Sequence, residues 1–392
     1  MVAVIVRRFG LAQIEIAEDI VSETFLTAAE KWENHVPENP AAWLYAVAKQ
    51  KATAHFRRAK IHETKIAEIA LSQDKSIDDT EPDFSEPGIR DSQLRMIFAV
   101  CNPIIQSEAQ IGLALRILCG FGIDEIAEAF FSNKETINKR LFRAKEKLRA
   151  EQIALDLPPV TEIPARLENV LRVIYLVFNE GYYSRTQNVT LRRDFCYEAL
   201  RLGTVLCEYA PTNLPKTHAL MALMCFHASR IDARENHSSA LILYQEQDVS
   251  RWDRGLIAQG SHFLSLAASG EKLTTYHLEA GIAYWHSIKE DTPEKWRNIL
   301  DHYDKLLQLQ YSPGAQLNRI FAFSQVHGKA NALTELDSLN LPDNRFYHLL
   351  LAHLCENVDK PRARASLEKA LLLVRTAGEK NEIRHKITGL QD

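Results

Sequence analysis

The 392-residue chain contains no C-x-x-C pair; its cysteines, at 101, 119, 196, 207, 225 and 355, are scattered. This spacing excludes a zinc ribbon and a secreted disulfide framework, and fits buried, reduced thiols in a cytoplasmic protein. No apolar run reaches membrane-spanning length. Val2–Val6 is too short for a signal-peptide core, and Arg7 and Arg8 follow it rather than precede it. Neither charge dominates, with a formal net charge of −4, so contact with nucleic acid must come from local patches. Glycine numbers only 15, and segments rich in Ala, Leu, Glu, Lys and Arg favour helix over strand. The length suits two or three domains.

What is present is clearest in residues 123–149, IDEIAEAFFSNKETINKRLFRAKEKLR. The spacing predicts a helix over Asp124–Phe130, capped by Asp124, then a short turn and a second, basic helix. On the second helix Ile137, Leu141, Ala144 and Leu148 form a stripe at helical spacing. Between Lys134 and Arg149 there are seven Lys/Arg against two acids. Burying the stripe turns Glu135, Thr136, Lys139 and Arg143 outward, a composition suited to the DNA major groove. A plain helical hairpin is the alternative reading.

Upstream, residues 1–60 read as a compact helical unit. A helix over 17–32 places Ala17, Ile20, Val21, Phe25, Ala28 and Trp32 on one side. Asp19, Glu23, Leu26, Glu30 and Glu33 fall on the other, so a leucine stands within an acidic stripe. A loop over 34–40 with two prolines leads into a helix over about 41–58. There Tyr45, Lys49 and Phe56 share a face that suits unpaired bases, and Arg57 and Arg58 suit phosphates. Residues 61–90 read as a flexible acidic linker, with seven acids against two bases from Asp74 to Asp91. A second helical unit spans 91–157. The prolines at 158, 159 and 164 mark a further boundary, and 158–392 reads as a helical array. The array begins with the stripe Leu167, Val170, Leu171, Ile174, Val177 and Phe178. Segments 303–310 and 366–373 look like second helices of paired-helix repeats, without a fixed period.

The order acidic helix, Pro-bounded loop, Trp-led basic helix, acidic linker and helix–turn–helix resembles an extracytoplasmic-function (ECF) type sigma factor of bacterial RNA polymerase. The resemblance rests on AEDIVSETFLTAAEKW (17–32), PENPAAWLYAVAKQKATAHFRR (37–58) and residues 123–149. The tracts at 91–121, 173–184 and 247–257 resemble the subgroup with a large helical, TPR-like C-terminal extension. What it implies is an all-α protein with sigma region 2, a linker, sigma region 4 and an extension. Such a protein binds RNA polymerase core through the large-subunit clamp coiled coil and flap, directs it to promoter DNA, needs no cofactor or metal, touches no membrane and catalyses nothing itself.

By this resemblance Asp19, Glu23, Leu26 and Glu30 meet the polymerase. Asn34, His35, Asn39, Tyr45, Lys49, Phe56, Arg57 and Arg58 serve the −10 element. Lys134, Glu135, Thr136, Asn138, Lys139, Arg140 and Arg143 serve the −35 element, Asn138 and Arg140 nearer its flanks. The chain departs from the family pattern at Lys49-Gln50, usually Arg-Asn, and at Cys101-Asn102, often Cys-His. No second ligand stands at metal spacing from Cys101, so no metal is expected there. In the extension, Glu180, Tyr182, Arg251, Trp252 and Asp253 read as buried ion pairs and helix caps rather than an enzyme pocket. Residues 158–392 are candidates for intramolecular regulation. The rival reading from another class is a helical scaffold or adaptor whose helix–turn–helix is structural.

Overall fold

The computed structural model describes residues 1–33, 35–67, 81–130, 132–182, 192–234, 247–270, 272–339, 341–374 and 377–390. Among these residues there are helices and no strand, so the fold is all-α. The chain forms two compact units, Met1–Val177 and Phe178–Asp392.

The first unit begins with α1 (Val2–Phe9), whose Ala3, Val4, Ile5 and Val6 are all buried. Gly10, at φ 93°, ends it in the left-handed region that glycine tolerates. Then come α2 (Ile14–Trp32) and α3 (Pro40–Ala67), which pack on each other. α4 (Glu86–Val100) starts on Ser85, whose hydroxyl accepts from the Gly88 amide at 3.2 Å, with proline in the first turn. α5 (Ser107–Leu113) runs into a widened π turn, Ala114–Leu118, and α6 (Ile123–Ala129) and α7 (Lys134–Ala150) come next. α1 packs against α4 and the π turn. The segment assigned to residues 1–60 and the segment assigned to 91–157 therefore share one unit, where sequence alone suggests separate domains. The apolar face of α1 explains this: Val4, Ile5 and Val6 are at most 2% exposed, and α1 packs against α2 as well as against α4 and the π turn.

The stretch expected as a linker over 61–90 is entered by helix from both sides, because α3 continues to Ala67 and α4 begins at Glu86. Residues 68–80 of that stretch lie outside the described residues. The boundary expected near Pro158 falls later, inside α8 (Ile163–Tyr182). The reason is that the first half of α8 is bonded to the segment 98–110. Arg166 Nη2 donates to the Phe98 carbonyl at 3.1 Å, and Asn169 Nδ2 donates to Gln110 Oε1 at 3.0 Å.

The second unit holds α9 (Arg193–Glu208), α10 (Pro215–Ala228), α11 (Arg254–Ala267), α12 (Thr275–Trp285), α13 (Pro293–Leu309), α14 (Pro313–His327), α15 (Lys329–Asp337), α16 (Arg345–Cys355), α17 (Lys360–Leu373) and α18 (Ala377–Gly389). α10 is buried along almost its whole length, between α9, α11 and α12. From α12 onward each helix packs on the next, the succession expected of a solenoid. The helices vary from 9 residues in α15 to 17 in α13, which is why no fixed repeat period is visible in the sequence. The segments at 303–310 and 366–373 fall at the ends of α13 and α17.

Candidate nucleic-acid and polymerase interface

α7 is set up by local chemistry. Asn133 Oδ1 accepts from the Thr136 amide at 2.7 Å and caps the helix. Ile137, Leu141, Ala144 and Leu148 are all buried, as their spacing requires. Lys134, Glu135, Thr136, Asn138, Lys139 and Arg143 are exposed together on the outward side. Several are paired locally: Lys134 with Asp124 at 2.9 Å and Lys139 with Glu135 at 2.6 Å. Exposed pairs of this kind contribute at most about 1 kcal/mol, so a phosphate or base edge can displace them. Arg140 differs. It is half-buried, bonded to Glu108 at 2.9 Å and placed over the Phe130 ring, so it braces α7 instead of standing open to a ligand.

Asp124, the expected cap of α6, gives its carboxylate to Lys134 instead. Gly122 takes the cap position, and its amide donates to Glu125 Oε2 at 2.6 Å. Sequence reasoning also passes over Phe142, which is 55% exposed and lies one turn beyond Asn138. Its position outside the 137–141–144–148 stripe is the available clue. An exposed ring among cations can meet a thymine methyl in the major groove.

On α3 the expected base platform divides. Tyr45 is half-buried and its ring stacks on Phe84, with centroids 5.3 Å apart and planes inclined by 18°. Lys49 pairs with Glu81 at 2.5 Å. The end of the acidic stretch thus lies on this face. Phe56 stacks on Phe9 at 3.7 Å, which makes it a packing residue that bases do not reach as it stands. Arg57 and Arg58 are exposed, and Arg58 Nε donates to the Ala54 carbonyl. His35 and Asn39 are exposed, and Asn39 Oδ1 also accepts from the Ala42 amide at 3.0 Å, so it starts α3. Asn34 lies outside the described residues.

On α2, Asp19, Glu23, Leu26 and Glu30 are all exposed, and Leu26 is 61% so. Phe25, expected in the core, is 52% exposed beside Leu26, and Thr24 is buried in its place with its hydroxyl donating to the Ile20 carbonyl. The face therefore presents two adjacent apolar side chains within carboxylates, a fit for an apolar and basic partner surface. One acid of α2 behaves otherwise. Glu18 is only 9% exposed, with Oε1 accepting from Arg116 Nε at 2.9 Å and Oε2 paired with Lys145.

Among the described residues no group of three His, Cys, Asp or Glu side chains is placed to hold a metal ion, and no helix is long and apolar enough to cross a membrane. At Cys101-Asn102, burial pushes the Cys101 thiol up to about 12, and the Asn102 carbonyl accepts from Gln110 Nε2 at 2.9 Å. In the second unit Asp253 caps α11 through the Leu256 amide, and Trp252 is buried. Tyr182 is buried beneath the Arg234 guanidinium, 4.0 Å from its ring centroid.

Residues 1–61 match the model of sigma-70 region 2. Residues 166–268 match a family of unknown function, DUF6596. A protein of Rhizobium meliloti (strain 1021), named uncharacterized protein R00370, is 31% identical over 387 residues, which is 96% of this chain and 90% of that protein. No solved structure matches the chain. The chain thus belongs to the family of the Rhizobium meliloti protein, and it carries at its N-terminus a sigma-70 region 2, as a sigma-70 family sigma factor does.

Proposed function

We propose that the chain is a sigma factor of the ECF type. It binds RNA polymerase core in the cytoplasm and directs promoter-specific initiation. The exposed acidic and apolar face of α2 docks on the large subunit. The face of α3 with Tyr45, Lys49, Arg57 and Arg58, and the loop before it, serves the −10 element and its melting. α6 and α7 act as a sigma region 4 helix–turn–helix on the −35 element, and residues 158–392 support or regulate the whole. It needs no cofactor and makes or breaks no bond itself.

The observation that carries this reading is the outward face of α7. Lys134, Glu135, Thr136, Asn138, Lys139 and Arg143 stand exposed together over a buried apolar stripe, in a chain whose first 61 residues match sigma-70 region 2. Arginine and lysine donate to guanine edges, and glutamate accepts from cytosine. A region that steers core enzyme gains from being tethered to a second DNA contact, because the second contact becomes intramolecular.

The test is transcription from a promoter library by purified core enzyme with the full chain. Arg143→Ala and Lys139→Ala are expected to relax sequence preference at the upstream element by about 1–3 kcal/mol at the affected base pair. Unaltered preference in both variants refutes the assignment of α7. A second reading, a scaffold whose helix pair is structural, draws on the local ion pairs of Lys134, Lys139 and Arg140. It predicts no capture of core polymerase and no salt-sensitive promoter binding.

A further inference from the structure

In the second unit, α16 and α17 enclose a cleft of about 330 Å³. Its lining recurs at helical spacing: Tyr347, His348 and Leu351 on α16, and Arg362, Ser366 and Lys369 on α17. Leu341 and Pro342, from the segment before α16, complete the wall. The volume is at the small end of ligand sites and holds about ten water-sized groups of roughly 30 Å³.

The lining fixes the chemistry of a guest. Leu341, Pro342 and Leu351 supply apolar surface, and Leu351 belongs to the same buried cluster as Cys355. α17 supplies charge, with Lys360, Arg362, Arg364 and Lys369 against one acid, Glu368. Lys369 is exposed and joins no ion pair among the described residues. Arg362 Nη2 pairs with Asp337 at the end of α15, which leaves the rest of the guanidinium edge for a guest. The Arg362 amide is taken by the Asp359 cap at 3.0 Å, so the cleft offers side-chain cations and no backbone nest for phosphate. With Asp337 on Arg362, one positive charge remains to be balanced, which suits a single carboxylate.

His348 adds a buried acceptor. It is 4% exposed. Its Nε2 lies 2.8 Å from the Pro342 carbonyl, which can only accept, so Nε2 carries the proton. Nδ1 is then the acceptor of the neutral ring, and among the described residues nothing donates to it. A buried acceptor left unmet is costly, and this one belongs to a ring in the cleft wall. Ser366, also 4% exposed, donates its hydroxyl proton to the Arg362 carbonyl at 2.8 Å, so its oxygen too is left to accept.

We propose that this cleft binds a small carboxylate of about ten non-hydrogen atoms that carries a hydroxyl on an apolar body. The carboxylate pairs with Lys369 and Arg362, the body lies on Leu341, Pro342 and Leu351, and the hydroxyl donates to His348 Nδ1. Tyr347, half-buried with its ring edge-on to His348 at 5.3 Å, shifts to admit the hydroxyl. A side-chain shift of this kind is ordinary on binding. The helical array is thereby a receptor for a hydroxylated acid. None of these residues lies in the first unit, so the site goes beyond the sigma-factor reading and does not depend on it.

The probe is para-hydroxybenzoate, which has this size, one carboxylate and one hydroxyl. Benzoate lacks the donor, and para-cresol lacks the charge. Equilibrium dialysis uses the full chain at about pH 8, where an ordinary histidine is neutral. The probe is expected to saturate one site per chain, about tenfold more tightly than either control. Lys369→Glu, at an exposed position, is expected to weaken the probe about tenfold and to leave para-cresol unaltered. His348→Phe is expected to abolish the preference for the probe over benzoate. Ala365→Trp, at an exposed lining position, fills the cleft and is expected to abolish binding of all three. Should His348→Phe lose its helical circular dichroism, the two surface variants decide. Absence of saturable probe binding at millimolar concentration overturns the site. So does probe binding that Lys369→Glu and Ala365→Trp leave unchanged, or para-cresol binding as tight as the probe's.

Discussion

At the scale of single residues, the clearest consequences come from buried titratable groups. Burial, with Arg230 and Lys295 nearby, holds His286 down to about 3, and burial among Arg230, Arg234 and His286 keeps His227 well below its ordinary value of 6.5. Both are neutral in the folded protein at pH 7. In the unfolded chain they titrate near 6.5, so the stability they contribute is complete above that pH and is lost as pH falls below it, for His286 down to about 3. Unfolding of the second unit is therefore expected to become easier from pH 7.5 to pH 5, by close to one extra proton bound per histidine. Urea midpoints followed by tryptophan fluorescence measure this, since Trp296 lies edge-on to His286 at 6.0 Å. His286→Gln should flatten that dependence. Thiol chemistry divides in the same way. Burial raises Cys101, Cys196, Cys207 and Cys225 to about 12 and raises Cys355 as well; Cys119 is half-buried, as Cys207 is, but is not among these raised thiols. Cys119 is expected to alkylate first at pH 8, and Cys119→Ser to remove the fast phase of a maleimide time course.

At the scale of helices, α7 is dictated by its own residues. The stripe 137–141–144–148, the Asn133 cap and the outward cations all appear where their spacing requires. Asn133→Ala is expected to cost about 1 kcal/mol. Leu141→Ala is expected to cost about 3 kcal/mol through the cavity it leaves. Urea denaturation followed by circular dichroism, and promoter affinity measured beside it, check both. On α2 the same periodicity misleads, because Phe25 sits outward and Thr24 inward. A hydroxyl bonded to the carbonyl one turn back can be buried at little cost, so hydrophobicity alone misplaces the stripe. Phe56 is legible as an aromatic on a basic helix. Its stacking on Phe9 is not, because nothing local links residues 47 positions apart.

At the scale of the whole chain, the all-α class is legible from composition. The place where the first compact unit ends is not. Pro158 and Pro159 break the helix, but Arg166 and Asn169 beyond them complete the first unit. A chain ending near residue 157 is thus expected to lose part of the first unit's stability, and one ending after Tyr182 to keep it. Comparing their thermal midpoints with the first transition of the full chain tests this. The joining of residues 1–60 to 91–157 is equally hidden, since the partners of Glu18 stand about 100 and 130 positions away in sequence.

The widened turn at Ala114–Leu118 has a consequence of its own. It holds one residue more than regular helical winding needs. Deleting a single residue there would restore even winding and change the facing of the side chains within the turn, Arg116 among them. Arg116 would then face away from Glu18 with every side chain of the pair still present, so the grip depends on winding number as much as on charge.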